Sequence, residues 1–421
     1  MHLIEVEART SPDHIRLIGH VERDSQSKSV VWAINESEFK ESTGNKKEAE
    51  IYFEFPKKYE SFISLNADAF AIAMLLPSMA AGEPLEIDLP VSELLLFNLT
   101  GIQEIFHTWH RQFLRVPVYA KPRVEPHKPK PRVPHAGSFF SGGVDSFYTL
   151  LKRLGPEPLP VPLTHMIFMH GVEQKLTVDG ASESSHERAE IIASKIGIEC
   201  IVGKTNLRTL FPLHWERYYV GTALAATAVA LSEGLSYVCI PSSFTHLHQD
   251  FPIPHGTTPL VDERYSTEDI RVVHDGAEAS RAEKTVRITE WNRSLVLENL
   301  RVCMDNGGAA FNCGKCYKCV RTGVALKLIG LWDEAAVFPN KTTSHWGDVI
   351  YNDHLVFTEE NLELARDRGI KSELTEQLET IVRKLNRNDG LAMVSKNSAL
   401  ELLLPVYRKI RLWLAESQST H

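Results

Sequence analysis

The sequence predicts an α/β protein built on a doubly wound parallel sheet. An N-terminal α+β domain precedes it, and a structural metal knot and a helical C-terminal extension follow. Three observations carry this. Strand and helix patterns alternate from about residue 135 to 243, and a glycine-rich turn joins the first strand of that series to its first helix. Four cysteines then fall within the seventeen residues Cys303–Cys319. Apolar strands alternating with helices imply a parallel sheet covered on both faces.

Taken in order, HLIEVEA, HIRLIGHVE, VVWAIN and AEIYFEFP alternate apolar and polar residues, which suggests a small antiparallel sheet. ADAFAIAMLLPSMAAG and SELLLFNLTGIQEIFHTWHRQF then show helical spacing, so residues 1–115 read as one α+β domain. Six prolines between Pro117 and Pro134, set among basic residues, predict an extended linker over 116–134 that cannot sit inside a sheet. Beyond it GSFFSGG, THMIFMHG, IECIVGK and SYVCIPSS read as strands. VDSFYTLLKRL, SESSHERAEIIASKIG and VGTALAATAVALSEG read as the helices between them, in a domain over 135–330. The extension over 331–421 is read as helical from ENLELARDRG, SELTEQLETIVRKLNR and SALELLLPVYRKIRLWLAES.

The 421 residues are 43% hydrophobic and 24% charged, with 46 Lys plus Arg against 54 Asp plus Glu. The resulting charge of −8 argues against nucleic acid as a main partner, since phosphate binding needs cations. No basic segment followed by an apolar one opens the chain, and its apolar runs are too short for a bilayer. A cytoplasmic protein without a membrane partner is expected. Six cysteines are too few for a disulfide scaffold, so the cluster of four reads as metal ligation.

The segment that carries chemistry is Ser141-Gly142-Gly143-Val144-Asp145-Ser146, which follows Phe140 at the end of a strand and opens a helix. Two glycines let the backbone turn tightly and approach an anion, and helix-terminal amides favour negative charge. Ser141 and Ser146 add hydroxyl donors, and Asp145 can hold a Mg²⁺ that neutralises polyphosphate. The plainer alternative is a glycine turn that merely caps a helix. Cys303, Cys313, Cys316 and Cys319 stand as C-x9-C-x2-C-x2-C. Four thiolates suit tetrahedral Zn²⁺ and leave no open position, which makes a structural site; an iron–sulfur cluster and unliganded thiols are the alternatives.

SGGVDS in a strand–turn–helix setting resembles the PP-loop of the ATP pyrophosphatases, the adenine nucleotide α-hydrolase-like fold. Paired with the CGKCxxC knot, it resembles the 7-cyano-7-deazaguanine synthases over roughly residues 135–330. The resemblance implies that residues 140–146 hold ATP with Mg²⁺ and that the four cysteines hold Zn²⁺. It further implies that a deazapurine acid, 7-carboxy-7-deazaguanine, is adenylated with release of AMP and pyrophosphate and then receives ammonia, giving amide and nitrile. About 130 residues before the loop and 100 after the cysteines depart from the compact family pattern. Long chains of this kind resemble the synthase-like proteins of bacterial antiphage defence loci, where the expected acceptor is an amine of a protein partner recognised through residues 1–115.

Arg281 and Lys284 are the expected cations for charge on the transferring nucleotide; in the family a Lys at about this distance before the cysteines plays such a part. Ser242 and Ser243, at the end of a strand, are candidate substrate contacts, as are His170 and Glu173. His246, His248 and Asp250 recur at every second residue, so an extended chain would align them. With His255 and Asp262 they form a conceivable second metal site, a solvated loop being the alternative. His107 and His110 lack a third ligand and are expected at the surface, while Cys200 and Cys239 read as small core hydrophobes. Two rival functions are a PP-loop enzyme that modifies tRNA and a non-catalytic subunit that senses ATP.

Overall fold

The computed structural model of the chain describes residues 1–24, 34–41, 46–123, 135–172, 176, 181–248, 255–303, 312–351 and 353–394. Its strands are β1 (His2–Thr10), β2 (His14–Asp24), β3 (Lys40–Glu41), β4 (Lys46–Pro56), β5 (Leu85–Ile87), β6 (Val118–Tyr119), β7 (Ala136–Phe139), β8 (Leu163–His170), β9 (Glu199–Thr205), β10 (Tyr237–Pro241) and β11 (Arg271–Asp275). They form one mostly parallel sheet in the order β11-β10-β7-β8-β9-β4-β2-β1-β5-β6, with β3 beside β4.

Within it β7 to β11 are all parallel, and their chain order across the sheet is 3-2-1-4-5. The order reverses between β7 and β10, and open α/β sheets bind ligands beyond the carboxyl ends of the strands at such a switch point. The glycine turn follows β7 and Ser242 follows β10, so both stand at that point. Strand β11 is missing from the sequence reading. RVVHD is a five-residue edge strand behind a polar, histidine-rich segment, and offers little apolar run to detect.

Strand β8 shows why a parallel sheet emerges. Met166 and Phe168 enter one core while Ile167 and Met169 enter the other, so both faces are buried and the run is continuously apolar. Helices α3 (Val144–Leu154), α4 (Ala181–Ile196), α7 (Arg281–Trp291), α8 (Arg293–Asn299) and α9 (Tyr317–Leu328) serve the core that holds Met166. Helices α1 (Asp68–Ala81), α2 (Glu93–Trp109), α5 (Leu207–Leu210) and α6 (Val220–Ala230) serve the other.

The N-terminal strands do not form a sheet of their own. Strand β4 pairs antiparallel with β9 through Phe53↔Thr205 and Glu54↔Lys204. Across the same joint Asn206 Nδ2 donates to Glu50 O and Asn206 Oδ1 accepts from Tyr52 N. Tyr219 Oη donates to Ala73 O at 2.5 Å, tying α1 to the helix layer of the α/β unit. The expectation that the proline segment stays out of a sheet is also corrected. Its first part supplies β6, an edge strand parallel to β5, and Pro122 bridges Val91. An edge tolerates the missing proline N–H. The remainder of that linker, most of VVWAIN, Glu173, Asp250 and the last expected helix lie outside the described residues.

The C-terminal helices α10 (Trp346–Tyr351), α11 (Leu355–Asp367) and α12 (Glu373–Val394) share the core of α9. Gly323 of α9 lets the Trp332 and Trp346 rings close in, since a Cβ there would stand 2.9 Å from both. Among the described residues no helix is long and apolar enough to cross a membrane.

Candidate functional site

The turn after β7 is shaped by one glycine in particular. Gly142 has φ +80°, a left-handed conformation, and its carbonyl accepts from Arg301 N at 2.7 Å. Gly143 is extended, with φ −80° and ψ 170°, and caps α3 without help from any side chain. The N-terminal α3 amides are therefore left without a side-chain acceptor, with the helix dipole behind them. Ser146 Oγ donates to Gly143 O at 3.0 Å and stands 3.5 Å from Ser141 Oγ, so it staples the turn. Val144 is buried in the core, and Phe140 packs edge-on against Phe147.

The two glycines should therefore fail differently. Gly142→Ala is expected to cost about 1–2 kcal/mol, because only glycine sits in the left-handed region without strain. Gly143→Ala is expected to keep its stability, since its backbone suits any residue and a Cβ there would come no closer than 3.4 Å to Ser141 Oγ. Thermal denaturation of the two proteins checks this.

Beside the turn lies a charge cluster assembled from three distant segments. Arg281 Nη1 donates to Asp145 Oδ2 at 2.7 Å, and Lys284 Nζ lies 3.3 Å from Asp145 Oδ1 and donates to Ser242 O at 2.6 Å. Arg281 and Lys284 are buried, and the Asp145 side chain is 15% exposed. Burial alone would raise the Asp145 carboxyl, but Arg281 and then Lys284 overcome it and hold the group below the usual carboxylate range. Burial pulls the Lys284 ammonium down, with Asp145 opposing. Lys318, on the first turn of α9, adds a more distant positive charge. Helix α7 is fixed by a capping box in which Ser280 and Glu283 exchange bonds, so Arg281 and Lys284 project from a firm N-terminus.

Glu360 of α11 completes the cluster. Its Oε2 accepts from Arg281 N at 2.9 Å, and burial pushes its carboxyl up to about 7. Folded protein then keeps a proton that the unfolded chain has released above about 4.5, so this group's contribution to stability falls as pH rises from there to about 7. Beside the turn a narrow cleft is lined by Phe140, Ser141, Phe168, Arg188, Asn299 and Arg301.

The four cysteines meet as one centre. Their sulfurs all lie within 4.8 Å of one another, and those of Cys313 and Cys319 are 3.9 Å apart. Tetrahedral zinc with bonds of about 2.3 Å would place its sulfurs about 3.8 Å apart. Gly314, at φ +70°, turns the chain so that the amides of Lys315 and Cys316 both donate to Cys313 Sγ at 3.3 Å. Such donors favour a thiolate. The arrangement could hold a metal such as zinc.

Other expected site residues fall elsewhere. Ser242 is enclosed: its hydroxyl donates to Phe244 O and its carbonyl accepts from Lys284, so it positions that ammonium. Ser243 beside it is half-buried. His170 meets His186 edge-on at 5.2 Å, and burial with that second imidazole lowers it to about 4, leaving a neutral ring. His246–His248 form a helical turn and not an extended chain, begun by Thr245, whose Oγ1 lies 2.9 Å from His248 Nδ1. His255 bonds Thr257, and Asp262 pairs with His274 at 2.8 Å. Among the described residues only the cysteines group as a metal centre. His110 is half-buried, packing edge-on against Tyr218, and burial lowers it to about 4. Burial pushes the Cys200 thiol up to about 12 and raises Cys239 as well, so neither is an activated nucleophile.

Glu360, Lys318, Arg188 and Arg301 escaped the sequence reading. For Glu360 a signal existed: Phe357, Glu360, Asn361 and Leu364 fall at helical spacing, which puts an acid on the apolar stripe of α11. The chain matches no protein-family model and no curated protein.

Proposed function

We propose that the chain is an ATP-dependent, AMP-forming ligase that adenylates a carboxylic acid, 7-carboxy-7-deazaguanine, and passes the acyl group to an amine. The observation that carries this reading is the buried Arg281–Asp145–Lys284 cluster set against an open glycine turn at the reversal of the sheet.

In this reading the amides of Gly143 and the first turn of α3 take the β and γ phosphates. A carboxylate oxygen of the acid attacks the α-phosphorus, and pyrophosphate leaves. Arg281 and Lys284 face the charge that grows on the transferring phosphate, and Asp145 holds them in place so that no reorganisation is needed during the reaction. Each Asp145 oxygen already meets a cation. That arrangement does not fit a separate magnesium seat on Asp145, and the metal would travel with the triphosphate. Zn²⁺ on the four cysteines would hold the N-terminus of α9, and with it Lys318, near Asp145. The acceptor is ammonia or an amine of a protein partner bound through residues 1–115. A thiol-transferring tRNA enzyme fits less well, because Cys239 is buried and Cys200 half-buried, and both thiols are raised.

The test is one reaction of purified protein with Mg·ATP, ammonium and 7-carboxy-7-deazaguanine, read by mass spectrometry. AMP together with deazaguanine amide or nitrile is the expected result. ATP surviving intact would overturn the ligase in favour of an ATP-sensing subunit.

A further inference from the structure

The cations around the turn suit a nucleotide and an acid, both anionic, but the second substrate of the proposed ligase is an ammonium. Asp145 is already spent on Arg281 and Lys284. Arg321, which lines the small cavity beside Glu360, is paired with Asp353. Glu360 is different. Its side chain is 4% exposed, one oxygen accepts only a backbone amide of Arg281, and the other stands 3.9 Å from His248 Nδ1. His248 is 40% exposed, and Leu247 before it is 90% exposed. His248 thus stands between solvent and Glu360, and Glu360 stands between His248 and Arg281.

The groups that face Glu360 are Arg281 and Lys284 of α7, Asp145 of α3, Arg321 of α9 and His248 of the turn after β10. A carboxyl kept inside this positive field is a liability for binding anions, and its raised pKa marks a stability cost. An apolar or amide side chain would fill the same place more favourably. The carboxyl is explained if a cation must come there.

We propose that Glu360 is the amine subsite of the ligase: it receives the incoming ammonium and takes its proton, with His248 relaying that proton to solvent. This rests on the adenylation reading above. The amine arrives as an ammonium and gives one proton to Glu360, which hands it to His248. The freed lone pair forms the N–C bond to the acyl carbon. The C–O bond to the α-phosphate breaks with its electron pair leaving on AMP, and the second ammonium proton follows the first. The subsite accepts small primary amines and ammonia; its carboxyl, Glu360, comes from the C-terminal extension, outside the part of the chain that resembles the synthases.

The two half-reactions separate the possibilities. Pyrophosphate–ATP exchange with 7-carboxy-7-deazaguanine alone reads adenylation, and single-turnover amide formation from ammonium chloride or methylamine reads the second step. In Glu360→Gln the exchange is expected to persist while amide formation falls about 100-fold, the usual worth of a positioned base. Wild-type amide formation should rise with pH through about 7, and the variant should lose that rise. Glu360→Asp should recover part of it. His248→Ala, at a partly exposed position, should slow the second step without disturbing the fold. Equal loss of both steps in Glu360→Gln, or loss of neither, would overturn the proposal. So would wild-type exchange without any amide. Wild-type protein that shows no exchange would instead overturn adenylation itself.

Discussion

Asp145→Asn is expected to lower AMP formation by about 10²–10³-fold, the scale seen when a preorganised charge-stabilising group is lost. The amide keeps the shape of the carboxylate but leaves Arg281 and Lys284, both buried, facing a neutral group. Breaking one side of such a buried cluster costs about 3–5 kcal/mol, so a drop in thermal stability should accompany the loss of activity. The pH dependence separates the cause from general damage. Because the two cations hold the Asp145 carboxyl below its ordinary value, its contribution is complete above the unfolded carboxylate pKa. It is lost as pH falls through the lower, folded value. Wild-type stability should therefore carry an acid limb below about pH 4 that the variant has already forfeited. Pyrophosphate exchange and thermal denaturation across pH 3–7 would read both effects, and unchanged AMP formation in the variant would remove Asp145 from the mechanism.

The second large effect is expected at the cysteine centre. Metal analysis of the purified protein should give one zinc per chain, and Cys316→Ser, or a strong chelator, should remove it. Closed sites of this kind contribute on the order of 10 kcal/mol to folding in small domains. Here the loss should fall on one side of the molecule. Cys316 caps α9, and α9 carries Arg321, which pairs with Asp353 and lies 3.7 Å over the Phe357 ring. Releasing that cap should loosen α9 and the helices beyond it, and with them Glu360. Amide protection in hydrogen exchange should fall over α9 to α12 while β1, β2 and β4 stay protected. Full protection of α9 in metal-free protein would show that the sulfurs are a packing cluster and no metal centre.

Much of this was legible in the sequence because it is local. The strand before Ser141, the paired glycines and the helix from Val144 to Leu154 lie within twenty residues, and their spacing alone locates the turn. The cysteines are equally local. What could not be read depends on pairings between distant segments. Asp145 and Arg281 stand 136 positions apart, and nothing in HDGAEASRAEKTVRI says that its cations close on that carboxylate. The two readings of N-terminal and α/β strands were each locally sound, yet periodicity cannot tell that Phe53 and Thr205 stand side by side. The His246–His248 segment was open for another reason: alternation allowed an extended chain as well as a loop, and Thr245, which bonds the His248 ring, curls it into a turn. A polar segment has no apolar face to force extension.

The joint between β4 and β9 also has a consequence for how the chain is made. Phe53 and the Thr205 opposite it are separated by about 150 residues, which a ribosome takes roughly ten seconds or more to add. Throughout that interval β1, β2 and β4 can pair with one another, and β3 can cover the first part of β4. On the edge away from β2, the later part of β4 has no neighbour until β9 is synthesised. An uncovered edge of this kind invites pairing with other nascent chains, and the charges of Lys46, Lys47, Glu48, Glu50 and Glu54 along β4 supply the repulsion that discourages it. The N-terminal half is thus a sheet born incomplete, guarded by charge until the centre of the molecule arrives to finish it.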